Sequence, residues 1–197
     1  MNATELKSAL QRWAEAMTRA APELNALDGR LGDGDLGATL EKCAANVQAV
    51  LPAMPDTLDG IFRSAAQACA KASGSSFGTL LAVAFLGAAK WTPPRQVLSR
   101  HDVVELIEVS VQNLCARGGA SLGDKTMLDA LDAVRRALKH AAPDANGRAI
   151  ALDAVQQSID DFRDKPNKIG RARMFADKSI GLDDPGMVAI LRMAQAL

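Results

Sequence analysis

Apolar residues recur at intervals of three and four along most of the chain, the spacing of helices buried on one side. From about Thr4 to Ala21 the apolar face is Leu6, Ala9, Leu10, Trp13 and Met17. A second helix is predicted over about Ala38 to Leu51. A third, from about Thr57 to Ala72, turns Ile61, Phe62, Ala65, Ala68 and Cys69 inward. The fourth, about Ser75 to Trp91, is apolar nearly all round ("TLLAVAFLGAA"), which predicts the central and most buried helix. A fifth follows Ser99 and carries Val103, Val104, Ile107, Val111 and Leu114, with Gly118 as its stop. A sixth opens with Asp124 as N-cap and aligns Leu128, Leu131, Val134 and Leu138. A seventh covers about Gly147 to Arg163, and the last starts at Asp184-Pro185, an N-cap followed by proline at the first helical position.

Pro22, Pro52, Pro55, Pro93, Pro94, Pro143, Pro166 and Pro185 all read as falling between these segments or at their starts. Tyrosine is absent and aromatics are 4% of the chain, which favours helices over strands. The expected class is all-α: one domain over residues 1–197, an eight-helix antiparallel bundle or barrel with its binding groups on loops at one end. Hydrophobic residues make up 48% and the formal net charge is +0, so nothing points to nucleic acid or an anionic membrane. No apolar run is long enough to span a bilayer, and the start reads as an amphipathic helix rather than a signal peptide. Cys43, Cys69 and Cys115 are widely spaced in apolar patterns, as reduced thiols of a cytoplasmic protein would be.

The candidate chemistry gathers in the connections. "LDGRLGDGDLGATL" (Leu27 to Leu40) contains a G-x-G-x-x-G match, yet no hydrophobic strand precedes it and no βαβ unit surrounds it, so a dinucleotide loop fails. An EF-hand fails too, because position 12 counted from Asp33 is Ala44 and position 3 counted from Asp28 is Arg30. Asp33 and Asp35 would point about 200° apart on a helix, and Gly29, Gly32, Gly34 and Gly37 argue against one. A folded-back loop would bring Asp28, Asp33 and Asp35 together. Packed carboxylates repel unless a cation lies between them, and an all-oxygen set suits Mg²⁺, Mn²⁺ or Ca²⁺. The helix beginning near Ala38 would aim free N–H groups at an anion, so a metal between the aspartates and a polyphosphate makes sense of the loop. The competing reading is an exposed Asp-Gly turn.

"ASGSSFGTLL" (Ala72 to Leu81) offers Ser73 to Ser76 as a nest of backbone donors for phosphate, or as an ordinary cap. Lys125 in "GDKT" is not a Walker lysine. Arg171 and Arg173 in "IGRARMF" could clamp phosphate or pair with nearby acids. His101 and His140 read as surface residues, and no Ser-His-Asp or Cys-His set can be assembled.

Taken together and in this order, Asp28 to Gly37, "SGSSFGT", "GDKTMLDAL", "GRA" at Gly170 to Ala172 and "SIGLDDPG" resemble the nucleotide-binding L subunit, or equivalent C-terminal domain, of dihydroxyacetone kinases. The resemblance implies an eight-helix antiparallel barrel. It implies that Asp28, Asp33 and Asp35 hold two Mg²⁺ ions carrying the phosphates of ATP or ADP. Leu36, Gly37, Ala38 and Thr39, with Ala72 and Ser73, match nucleotide-contacting stretches. Gly118, Met127, Arg171 and the turn Asp184, Pro185, Gly186 match further contacts. The family phosphorylates a hydroxyl of a short ketose, which a separate K subunit or domain holds on a histidine. This sequence has no region for that domain and is expected to be half of an enzyme, compatible with a homodimer. Three carboxylates (−3), ATP (about −4) and two Mg²⁺ (+4) leave about −3 for Arg171, helix N-termini and the partner to offset.

Leu36 departs from one branch of the family. Members that take phosphate from a phosphotransferase-system protein, with ADP kept as a cofactor, commonly carry His there. A non-His residue leans the reading towards free ATP. The alternatives are that phosphotransferase-dependent route and a non-catalytic ADP-loaded regulatory module. "GRARMF" departs from the more usual "GRASY", which leaves the role of Arg173 open.

Overall fold

The computed structural model describes residues 1–72 and 76–197, without the side chain of Ala176. Among them are eight α-helices and no strand: α1 (Ala3–Leu31), α2 (Leu36–Val50), α3 (Leu58–Ala70), α4 (Ser76–Trp91), α5 (Arg100–Gly118), α6 (Met127–His140), α7 (Gly147–Arg163) and α8 (Pro185–Ala196). Each helix packs on the next, and α8 returns to pack on α1 and α6, closing the ring. Two 3-10 segments, Leu51–Ala53 and Arg171–Ser179, lie in the connections.

Most helix starts are fixed by side chains that satisfy orphan N–H groups. Asn2 and Glu5 form a capping box on α1, as do Ser99 and Asp102 on α5. Asn146 caps α7, and Asp184 accepts from Met187 N–H at 2.9 Å on α8, with Pro185 in the first turn. The inward faces read from the sequence on α1 and α3 are buried.

Four expectations are corrected. Helix α1 does not stop near Ala21 but runs on to Leu31, with Pro22 inside it. Pro22 is exposed and forgoes one backbone bond, while Ala20, Ala21, Leu24 and Leu31 continue the buried face, so tertiary packing outweighs the break. Helix α4 is not the most buried; only Gly78, Leu81, Ala88 and Ala89 of its residues are buried, and Leu86 is 39% exposed. Its even hydrophobicity is spread over a wall of half-buried positions rather than a core rod. The N-cap of α6 is Thr126, whose hydroxyl accepts from Leu128 N–H at 3.2 Å; Asp124 instead accepts from Ser121 N–H at 2.7 Å. Gly118 belongs to α5, and the left-handed residue that ends it is Gly119 (φ 65°).

No helix among the described residues is long and apolar enough to cross a membrane. The three cysteines are unbridged: Cys43 and Cys69 are buried, Cys115 half-buried. His101 and His140 are exposed.

Candidate functional site

The last turn of α1 and the loop after it bring the three aspartates together. Asp28 is on the helix, so the expectation of a loop for the whole stretch holds only from Gly32 onward. Gly34 takes a left-handed conformation (φ 75°) and folds the chain back against Gly29. At Gly32 any side chain would bring its Cβ within 2.6 Å of Asp28 Oδ1. As a result Asp28, Asp33 and Asp35 each present a carboxylate oxygen, all within 4.8 Å of one another. Asp28 is half-buried, and Asp33 and Asp35 are exposed.

Helix α1 also caps α2. Asp28 Oδ2 accepts from the backbone N–H of Asp35 (2.9 Å) and of Leu36 (3.3 Å), while Asn25 Oδ1 accepts from Ala38 N–H (3.0 Å). Asp35, at the N-cap position, makes no cap bond itself, which leaves its carboxylate available. The expectation that this helix start offers its first donors to an anion is therefore corrected: side chains of α1 take those of Asp35, Leu36 and Ala38. Gly37 is needed for the contact, because a Cβ there would lie 1.9 Å from Ala21 O.

The acidic cluster borders a cavity of about 490 Å³. Asp28, Asp33, Asp35 and Leu36 form one side; Gly118 and Met127 line another; Gly170 to Ala172 and Asp184 to Gly186 face them. Of the other predicted positions, Gly37, Ala38, Thr39 and Ala72 do not line it. Thr39 and Ala72 are buried and sit against Gly78, where a Cβ would meet Ala72 O at 3.2 Å and Thr39 Cγ2 at 3.4 Å. Of the serine nest Ser73 to Ser76, residues 73–75 lie outside the described residues, and Ser76 lines the cavity. Arg171 reaches across and pairs with Asp33. Arg173 is exposed and does not line the cavity.

The wall opposite the aspartates rests on a buried polar network. Asp184 is buried; its Oδ2 accepts from Asn167 Nδ2 at 2.9 Å. Burial outweighs the bonds from Met187 N–H and Asn167, and pushes its carboxyl up to about 6. Lys125 is 1% exposed and donates to three backbone carbonyls. The sequence did not reveal this role, nor that Phe77, Leu80, Arg117 and Thr126 line the cavity. Its one local hint is "GDK", since the chain needs a left-handed residue at Lys125 (φ 63°), which is uncommon outside glycine.

An all-oxygen set of this kind fits a hard divalent cation. Asp28 keeps Oδ1 free of the backbone bonds that Oδ2 accepts, and Gly32 keeps the space beside it clear of a side chain. The ion pair of Arg171 with Asp33 shows that the cluster draws a positive charge.

Comparison with known proteins then decides the family: the model for the DAK2 domain matches residues 30–197. The chain belongs to the DAK2 domain family. Asp28 lies just ahead of the matched span. Among DAK2 relatives, the chain is 26% identical to the ADP-binding subunit DhaL of the PEP-dependent dihydroxyacetone kinase of Escherichia coli, over 100% of this chain and 96% of that subunit. It is 31% identical to the D-erythrulose kinase of Mycolicibacterium smegmatis, over 96% of this chain but 34% of that protein. The DAK2 fold is also that of the dihydroxyacetone kinase of C. freundii in its crystal structure with AMP-PNP and Mg²⁺: the TM-score is 0.77 at 26% identity, covering 98% of this chain and 33% of that one. The chain thus spans nearly all of a DhaL subunit and about a third of the longer kinases.

Proposed function

We propose that this chain is the nucleotide-binding subunit of a two-component kinase for dihydroxyacetone or a related short ketose. It would transfer a phosphoryl group from Mg²⁺–ATP to a ketose hydroxyl presented by a separate K-type subunit, in the cytoplasm. The observation that carries this reading is the convergence of Asp28, Asp33 and Asp35 at the mouth of a cavity faced by Arg171 and the start of α8, within a DAK2 fold. A C. freundii relative of that fold has been solved with AMP-PNP and Mg²⁺.

The three carboxylates would hold two Mg²⁺ ions, whose charge would offset that of the nucleotide phosphates. Asp28 does two things: one oxygen ties the N-terminus of α2 in place, and the other faces the cluster. Arg171 exchanges its bond to Asp33 for one to phosphate once that aspartate is engaged. Leu31, Leu36, Leu114 and Leu128 give the inner cavity an apolar lining. Catalysis in this arrangement is positioning and electrostatics, since no side chain among the described residues is placed as a nucleophile. Gly37, Ala38, Thr39 and Ala72 support the site through packing and capping rather than from its lining, and Gly118, Met127 and Asp184 to Gly186 supply the remaining wall.

Leu36 is 6% exposed and packs into the core, so the position offers no titratable group. This favours ATP as exchangeable donor. The end-to-end match to a PEP-dependent ADP-binding subunit favours a second reading, in which ADP stays bound and a phosphotransferase-system protein supplies the phosphate. The test mixes the purified chain with a K-type subunit, a ketose and ATP. Ketose phosphate formed with ATP alone supports the first reading. Turnover only after adding the phosphoprotein supports the second. Tight ADP retention without turnover under any condition points to a regulatory module.

A further inference from the structure

The connection between α7 and α8 contains a strap, the 3-10 segment Arg171–Ser179, between Gly170 (φ 68°) and Gly181 (φ 81°). Its beginning, Gly170 to Ala172, lines the cavity and carries Arg171 to Asp33, while Met174 is 72% exposed to solvent. Exposed residues of this kind do not hold a nine-residue segment in place by themselves. Its two ends meet at one buried group. Lys125 Nζ donates to Arg163 O (3.0 Å) and Lys165 O (2.8 Å) ahead of the strap, and to Ser179 O (2.9 Å) at its end. An ammonium has three donors, and all three are used. The C-terminus of α7 is also where a cation is favoured.

The backbone at Lys125 extends the tie. Lys125 O accepts from Asn167 Nδ2 at 2.8 Å, and the same amide nitrogen donates to Asp184 Oδ2 at 2.9 Å. Two acceptors fix which way the amide points, and Asn167 Oδ1 is left buried without a partner among the described residues. Asn167 N–H in turn donates to Ser179 Oγ (2.8 Å), Lys168 N–H to Asp124 O (3.1 Å) and Gly181 N–H to Arg163 O (2.9 Å). Strap and α8 start therefore share one anchor.

We propose that Lys125 is a positioning residue whose buried ammonium closes the base of this strap and whose backbone carbonyl, through Asn167, holds the Asp184–Gly186 turn, so that two walls of the nucleotide cavity meet at one residue. The nucleotide part of this inference rests on the function proposed above; the clamp itself does not. Lys125 does not line the cavity. It acts through Arg171 on one side and through the N-terminus of α8 on the other.

The test compares the full chain with a Lys125→Met variant, which keeps the stem and removes the donors. Arg171, Arg173 and Lys178 offer trypsin three cutting points within the strap. In the variant, cleavage there should speed up about tenfold while cleavage elsewhere is unchanged, and the Kd for Mg²⁺–ADP by calorimetry should rise about tenfold. A folded variant with wild-type strap cleavage overturns the clamp. Faster strap cleavage with unchanged Mg²⁺–ADP affinity overturns the positioning role. If the wild-type chain itself binds no Mg²⁺–ADP, the nucleotide reading falls and the cleavage rates alone decide the clamp. If the variant does not fold, amide exchange in the wild-type chain decides: Asn167, Lys168 and Gly181 should exchange as one unit, and independent exchange overturns the proposal.

Discussion

The acidic mouth and the Lys125 anchor are both charged, and they differ in what their charges touch. At the mouth, three carboxylates converge with Asp33 and Asp35 exposed, and the groups that answer them are two backbone N–H groups on Asp28 and the movable Arg171. At the anchor, a lysine at 1% exposure has every donor occupied by carbonyls of its own chain. Charge that is gathered and left underneutralised is suited to a ligand. Charge that is buried and saturated holds structure, and removing it exposes its partners to an unmet desolvation cost.

The largest effect on stability is expected at the anchor. Lys125→Met removes three charge-assisted bonds; Arg163 O and Ser179 O keep backbone donors from Gly181 and Leu182 while Lys165 O loses its donor, and unfolding stability should fall by about 3 kcal/mol in denaturant titration. Asp33→Ala/Asp35→Ala, by contrast, should change it by less than about 0.5 kcal/mol. Similar losses for the two variants would erase the distinction.

The same anchor carries a pH dependence. Folding raises the carboxyl of Asp184 from its ordinary value of 3.8 to about 6, so between these values the folded chain binds more protons than the unfolded one. Its contribution to stability is full below about 4 and declines as pH rises to about 6. In Asp184→Asn this decline should vanish from denaturant midpoints measured across the window. A slope of unchanged size in that variant would assign it to another group.

Next comes the joint between the regions, where α2 starts against α1. Gly37→Ala places a methyl group on Ala21 O and should cost about 2 kcal/mol, read as a lower thermal midpoint. A smaller change is expected at Asp28. Asp28→Ala removes a cap worth about 1 kcal/mol, and Asp28→Asn, which keeps an accepting oxygen, should recover most of it. Because the second variant keeps the cap but loses the negative charge, it should still weaken Mg²⁺-dependent nucleotide binding, separating the two duties of this residue.

What was legible in the sequence follows from how local each signal is. The helices of the ring announce themselves by period and by caps such as Ser99 and Asp184, which act within a few residues. The three aspartates were legible as a set because four glycines around them forbid most alternatives. Pro22 misled, because a local breaker was overruled by packing contacts of Leu24 and Leu31 that lie beyond it. Helix α4 misled because composition reports hydrophobicity and not which side a ring of helices covers. The capping of α2 by Asp28 and Asn25, and above all the role of Lys125, were illegible. The acceptors of Lys125 are backbone carbonyls 38 to 54 residues away, and any residue type presents a carbonyl.

The acidic mouth is expected to bind nucleotide through a divalent metal. Isothermal calorimetry of ADP and ATP, with Mg²⁺ and with chelator, on the wild-type chain and on Asp33→Ala/Asp35→Ala tests it most directly. Binding by the wild-type chain should depend on Mg²⁺ and fall at least about 100-fold in the variant, with the fold intact. Equal, metal-independent binding by both proteins, or no nucleotide binding by the folded wild-type chain, would contradict it.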